Sequence, residues 1–408
     1  MDLGREAFEP QVDERHRILP EAELVEMLVL AGWAFEVAAG RRETAERETR
    51  AALARWIAAG LGFRTAASGE RRFDPVEVVQ MLKWLGLRGE DSFWADRYVA
   101  TGRALVEALT GPRFEIAYQR SFDLSRFAPD ARLRLRAPMP LRDDLDDLDF
   151  SPLPIEGFAD EAVLRDGYME VRGPPPLEGH ASLGFAASFA MTAAGETPPL
   201  SREARELYLR PTEGLIQVAP EVAALAQRLA GADPGETVAG FWNHLLDELI
   251  CGPIRYSDLQ GRPPVQWVLE KGWYDCQLGS ALLASLCRAQ GVPARLVGGH
   301  LLYPLAPTNH FWTEIWFEGE GWRSYDLLCW DLSAAGRDAA WRDRFAGAVD
   351  ARLVTQRLPL AFTGPMSVRF PAAWQMTQAS FGEGIAVTYR DVEDGSLIFR
   401  ETISVSRG

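Results

Sequence analysis

The chain has 408 residues, 47% hydrophobic and 25% charged, with a formal net charge of −15. That length implies two or three domains, and the composition excludes a mostly disordered chain, a collagen-like one and a coiled-coil rod. The acidic balance argues against nucleic acid or an anionic membrane as the main partner.

The first segment, MDLGREAFEPQVDERHR, is charged and lacks the apolar stretch of a secretory signal. The apolar run Leu24–Ala39 is broken by Glu26 and Glu36 and falls short of the ~20 residues that span a bilayer. Leu24, Met27, Leu28, Ala31, Phe35 and Ala38 recur at helical spacing. Further helices are expected over Thr44–Leu61, Pro75–Trp84 and Ser92–Leu109, the third opened by Asp74 and Pro75. Residues 1–112 therefore read as a helical N-terminal domain, a packing or partner-docking module with no chemical motif.

Gly111-Pro112 punctuates the chain, and the period then changes to two. Phe114, Ile116 and Tyr118 alternate, and Leu133 and Leu135 alternate with Arg132, Arg134 and Arg136. Asp143, Asp144, Asp146, Asp147 and Asp149 read as a solvated acidic loop, because their spacing does not fit an EF-hand. Residues 113–200 are expected to form an antiparallel β domain. Helix returns at Glu221–Leu229 and Val238–Ile250. The core is placed at 201–335. Residues 336–408 are expected to complete it with a helix, Arg337–Phe345, and a hairpin joining Ile385–Tyr389 to Ser396–Arg400 through Glu393-Asp394-Gly395.

Lys83 and Lys271 are the only lysines, an arginine bias that reads as coding rather than function. The four cysteines, Cys251, Cys276, Cys287 and Cys329, form no CxxC pair. This argues against a disulfide framework and a structural zinc site, and suggests a reducing cytoplasm.

The chemistry concentrates between Gly272 and Asp331. Cys276 opens a helical pattern that ends at Gln290, with Gly291 and Pro293 as stops. A cysteine in a first helical turn meets unpaired N–H groups and the positive end of the helix dipole, which should lower its pKa. Gly279 and Ser280, below it, would let the helix approach a sheet. Strands follow at Ala294–Leu302, His310–Phe317 and Trp322–Leu327. A three-residue loop, Glu318–Glu320, would set Asp326 opposite Trp312, one diagonal step from His310 on the same face. Cys276 as nucleophile, His310 as base and Asp326 as the group orienting the imidazole then make a triad. His300 is a weaker candidate base and Asp331 a fallback for Asp326. His16, His244 and Cys287 read as ordinary surface, helix or core residues. Trp312 would shield the imidazole or fill core. Glu314 would lie behind the site or pair with an arginine such as Arg295.

The motifs in this stretch resemble the transglutaminase-like superfamily of papain-related cysteine enzymes, in its bacterial form. They are the Cys-opened helix, Arg288-Ala-Gln-Gly-Val-Pro-Ala-Arg295, His310-Phe-Trp-Thr-Glu314 and Gly321-Trp-Arg-Ser-Tyr-Asp326. The resemblance is strong over about sixty residues and weaker upstream. It implies an α+β fold: a papain-like core whose Cys-bearing helix packs on an antiparallel sheet, preceded by a β-sandwich-like domain. It carries the catalytic roles onto Cys276, His310 and Asp326. Gly272 stands four residues before the cysteine, where many members have a glycine two before it. The backbone N–H of Cys276 is the first oxyanion donor, and Gln266, Trp267 and Tyr274 are alternatives for the second. The chemistry implied is acyl transfer through a Cys276 thioester, needing neither metal nor organic cofactor. Hydrolysis of a peptide-like amide is the leading reaction. The alternatives are an amide-forming acyltransferase fed by a carrier-protein thioester, and a catalytically idle binding scaffold. The expected partner is a peptide, a protein or a carrier-bound acyl group.

Overall fold

The computed structural model describes residues 18–107, 113–141, 145–153, 163–165, 168–191, 199–254, 256–259, 262–303, 307–347, 351–357, 374–381, 384–391 and 397–407. Four helices come first: α1 (Glu21–Ala38), α2 (Arg42–Ala58), α3 (Pro75–Arg88) and α4 (Phe93–Glu107). Their inward faces bury a core of their own, with Leu24, Leu28, Trp33, Leu53, Trp56, Leu82 and Trp94. Asp74 caps α3 by accepting the Val76 N–H at 2.8 Å, beside Pro75 in the first turn. Gly89, at φ 70°, ends that helix in the left-handed region.

Six strands follow: β1 (Arg113–Asp123), β2 (Leu133–Pro138), β3 (Leu145–Pro152), β4 (Val163–Arg165), β5 (Tyr168–Gly173) and β6 (His180–Met191). On β1, Phe114, Ile116 and Tyr118 are buried while Glu115 and Ala117 face out, the period-two pattern read from sequence. The acidic stretch differs from expectation. From Leu145 onward it is strand, paired with β6 across an irregularity between Asp146 and Asp149; Asp143 and Asp144 lie outside the described residues. Among the described residues no cluster of His, Cys, Asp or Glu could hold a metal ion.

The core begins with α5 (Arg202–Tyr208), α6 (Pro220–Leu229), α7 (Pro234–Glu248) and α8 (Pro264–Lys271), then α9 (Cys276–Ala289). Strands β7 (Ala294–Leu301), β8 (Asn309–Phe317) and β9 (Gly321–Tyr325) follow, with α10 (Cys329–Leu332) and α11 (Ala339–Arg344). Last come β10 (Arg352–Arg357), β11 (Trp374–Phe381), β12 (Gly384–Asp391) and β13 (Leu397–Arg407). Helix α9 is buried from Gln277 to Arg288, as a helix in the middle of a core must be. Its last turn is tied by Arg288, which donates to the Ala294 carbonyl at 2.8 Å and to Glu213 at 2.9 Å. It lies on an antiparallel four-stranded sheet of order β9-β8-β7-β10.

The C-terminal residues divide between two sheets. Strand β10 joins the core sheet through β7, whereas β13 pairs antiparallel with β1. The resulting six-stranded sheet has the order β11-β12-β13-β1-β6-β3. Within 336–408, the segment expected to complete the core, β10 lies in the core sheet and β11, β12 and β13 lie in the six-stranded sheet. The pairing of β12 with β13 is the hairpin read from sequence; its turn lies outside the described residues. The six-stranded sheet and the three-stranded β2-β5-β4 sheet share one apolar cluster, to which Leu302 and Leu353 of the core also contribute. No helix among the described residues is long and apolar enough to cross a membrane.

Candidate active site

Cys276 is the first residue of α9. Asp275 is its N-cap and accepts the Leu278 N–H at 2.8 Å. Close approach of the helix rests on small residues. A Cβ on Gly279 would collide with the Tyr274 ring and with Leu327. Ser280 faces β8, and its carbonyl accepts the Thr313 hydroxyl at 2.9 Å. The helix start is thereby fixed against the strand that carries His310.

The loop between β8 and β9 has the three-residue form. Phe317 pairs with Gly321, Trp316 with Trp322 and Thr313 with Tyr325, so Glu318, Gly319 and Glu320 form the turn. Gly319 and Gly321 adopt φ of 80° and 83°, which a β-carbon would oppose. That register carries Asp326 to the position opposite Trp312. Its Oδ1 lies 2.7 Å from Nε2 of His310. An ionised carboxylate can only accept, so Nε2 carries the proton and Nδ1 is left as the basic nitrogen. Oδ1 also accepts the Leu328 N–H at 2.9 Å. The other oxygen accepts from Arg352 Nη2 at 2.5 Å. Burial alone would raise the Asp326 carboxyl. The charges of His310 and Arg352, with these hydrogen bonds, outweigh it and hold the group below the usual carboxylate range.

The Cys276 thiol behaves differently from the sequence expectation. Dense packing pushes it well above the ordinary cysteine range, and the Asp275 carboxylate adds to the rise. The backbone N–H groups of Phe311 and Gln277 pull the other way without reversing it. The helix end favours an anion, but Asp275 already occupies it as the capping carboxylate. Burial and the capping carboxylate thus oppose a thiolate here, and a neighbouring base is needed to draw off the proton. The sulfur's hydrogen bond to Phe311 sets it beside the residue that follows His310.

The remaining sequence candidates separate. Trp312 is buried, and its ring stacks near His310 with centroids 6.4 Å apart. Glu314 turns away to a buried pair with Arg295, at 2.6 Å, the alternative that the sequence offered. Gln266 donates to Glu221 at 3.1 Å on an exposed surface. Trp267 and Tyr274 are both buried, and neither the Trp267 Nε1 nor the Tyr274 hydroxyl has a partner among the described residues. Of the three alternatives for a second oxyanion donor, Gln266 has committed one of its two amide hydrogens and these two have committed none. His300 points between the sheets, 5.3 Å from the Tyr118 ring. Asp331 pairs with Lys83 and takes no part in holding His310.

Two groups of residues escaped sequence reasoning. Arg352 stands on β10, beyond α10 and α11, and carries no motif. The other group comes from the helical N-terminal body. Lys83 donates to the Cys251 carbonyl at 2.8 Å, pairs with Asp331 and lies 4.9 Å over the Trp330 ring. The Tyr98 hydroxyl bonds to the same Asp331. Gln80 donates to the Pro253 carbonyl at 2.7 Å, and Arg103 reaches Asp338 at 3.0 Å. The one available signal was Lys83 itself, one of two lysines in a chain whose other basic residues are arginines.

Residues 223–327 match the family model of the Transglutaminase-like superfamily. The chain carries a transglutaminase-like core. In that core the Cys-bearing helix packs on an antiparallel sheet. Among solved structures, the chain is similar to a candidate cysteine protease from Cytophaga hutchinsonii. The identity is 13% and the TM-score 0.43, covering 73% of this chain and 99% of that one. It is also similar to the periplasmic domain of TgpA from Pseudomonas aeruginosa, at 19% identity and a TM-score of 0.34, covering 59% of this chain and 95% of that one. No curated protein matches the sequence. At such distances the chemistry of the transglutaminase-like core has to be argued from this chain's own residues.

Proposed function

We propose that this chain is a cysteine-dependent acyl-transfer enzyme. Cys276 attacks a carbonyl, His310 takes the thiol proton on Nδ1 and returns it to the leaving group, and Asp326 holds the imidazole in the required tautomer. The observation that carries this reading is the 2.7 Å contact between His310 Nε2 and Asp326, on a strand whose next residue binds the Cys276 sulfur. The oxyanion forms beside the backbone N–H of Cys276, with Trp267 or Tyr274 as the second donor. Nothing in this sequence of steps calls on a metal or an organic cofactor.

The leading reaction is hydrolysis of a peptide-like amide, with water resolving the thioester. Formation of an amide from a carrier-protein thioester is the alternative, with an amine in place of water. A binding scaffold is disfavoured by the hydrogen-bonded histidine and aspartate beside the cysteine. The four thiols are all free, which supports a reducing cytoplasm as the compartment. The helical N-terminal body is built against the Cys251 and Asp331 segments, which supports a role as a wall of the substrate site, where a peptide or carrier protein would dock.

The test offers the protein peptide amides and acyl thioesters, with and without a primary amine, and reads the products by mass. Free acid in both arms supports hydrolysis; amide product in the amine arm supports transfer. Product formation that persists in Cys276→Ala rules the proposal out.

A further inference from the structure

We propose that Arg352 is a positioning residue of this site, holding the second carboxylate oxygen of Asp326 so that the first stays on Nε2 of His310. The inference rests on the acyl-transfer reading given above, and goes beyond it by adding a fourth residue.

The geometry is that of a fixed clamp. Arg352 is 4% exposed and Asp326 is fully buried. Nη2 of the guanidinium reaches Oδ2 of Asp326 at 2.5 Å, and Nη1 reaches the Tyr303 hydroxyl at 3.1 Å. The cation also lies 5.5 Å from the Tyr303 ring and 5.9 Å from the Trp312 ring. The planar fork is thus held at both ends, and it engages the oxygen that His310 leaves free. The strand that delivers it is pinned in register, with Arg352 opposite Leu301 and Leu353 opposite His300. A Cβ on Gly299, beside the bulge, would strike the Leu353 carbonyl, so only glycine lets the two strands close here.

The role follows from the two oxygens of Asp326. Asp326 and Arg352 together are neutral, and the charge-assisted contact to the guanidinium fixes the plane of the carboxylate. Without Arg352 the second oxygen loses its partner, and the carboxylate is free to rotate away from His310. Other titratable groups face the cluster. Asp275 lies beside the thiol, and Tyr274 and Cys329 lie in the field of Asp326. On the β7 side stand His300 and Tyr303. Behind them Glu401 is engaged by Arg120 at 2.9 Å. None of these supplies a second cation to Asp326 in place of Arg352.

The test is the rate of iodoacetamide alkylation at Cys276, read by peptide mass across pH, in wild type, Arg352→Gln, Arg352→Lys, Tyr303→Phe and His310→Ala. Arg352→Gln should slow acylation by p-nitrophenyl acetate by about tenfold or more and move the alkylation profile toward that of His310→Ala. Arg352→Lys, which keeps the charge, should keep the wild-type pH profile. Tyr303→Phe loosens the clamp without removing the cation, and should shift the profile partway if Arg352→Gln does not fold. Adding Arg352→Gln to His310→Ala should add little to the loss, because Arg352 acts through His310. A pH profile unmoved in both Arg352→Gln and Tyr303→Phe, or a parallel loss at every pH, overturns the inference. If His310→Ala leaves both alkylation and acylation at wild-type rates, the acyl-transfer reading itself is what fails.

Discussion

Asp326 grips His310 through Nε2, at 2.7 Å, and so dictates which imidazole nitrogen is left to act as a base. Asp326→Asn would keep the size but can donate where the carboxylate accepts, favouring the wrong tautomer. We expect acylation of Cys276 by an activated ester to fall by about 10²- to 10⁴-fold, with unchanged circular dichroism. A loss below threefold would mean that the contact does not serve catalysis.

Lys83 and Asp331 form a buried ion pair at the join between the helical body and the core. Removing one partner strands the other charge. Lys83→Ala should cost about 3–5 kcal/mol of unfolding free energy, read by urea titration. Replacing both, as Lys83→Met with Asp331→Leu, should cost less than either single change. Additive losses would show that the pair does not couple.

Burial lowers the His300 pKa from 6.5 to about 4, against a rise from Glu401, while the unfolded chain keeps the ordinary value. Between those two values the unfolded state binds more protons. The contribution to stability is complete above about pH 6.5 and is lost as pH falls toward 4, on the order of 3 kcal/mol across the window. Unfolding titrations at several pH values should show this slope, and His300→Leu should flatten it. An unchanged slope in that variant would place the pH dependence elsewhere.

The site was legible where its geometry is local. Gly319 and Gly321 mark a tight turn, and the alternation on either side sets the register, so the approach of Asp326 to His310 could be counted out from residue numbers. The helix start at Cys276 was equally plain from Gly291 and Pro293 at the other end. What sequence hid was non-local. Arg352 reaches Asp326 because β10 pairs with β7, a choice made by packing. The pairing of β13 with β1 joins the end of the chain to an earlier domain, and no local signal specifies a partner so distant. The Cys276 thiol was misjudged because a helix dipole was weighed alone, without the capping carboxylate and the packed surroundings that oppose it.

The Trp312 ring stacks near His310 and also lies under the Arg352 guanidinium, 5.9 Å away, which implies that the ring keeps water off the Asp326 contact. Trp312→Ala should reduce acylation about tenfold or more and lower stability by about 3–5 kcal/mol. Trp312→Phe, which keeps a ring, should recover most of both. Equal losses in the two variants would contradict a shielding role.

The central claim is that His310 activates Cys276 as a nucleophile. It is tested most directly by intact-mass and peptide mapping of the protein exposed to p-nitrophenyl acetate at neutral pH. The account predicts one acetyl group, on Cys276, absent in Cys276→Ala and formed about 10²- to 10⁴-fold more slowly in His310→Ala. Acetylation spread over several residues, or a rate that His310→Ala leaves unchanged, would contradict it.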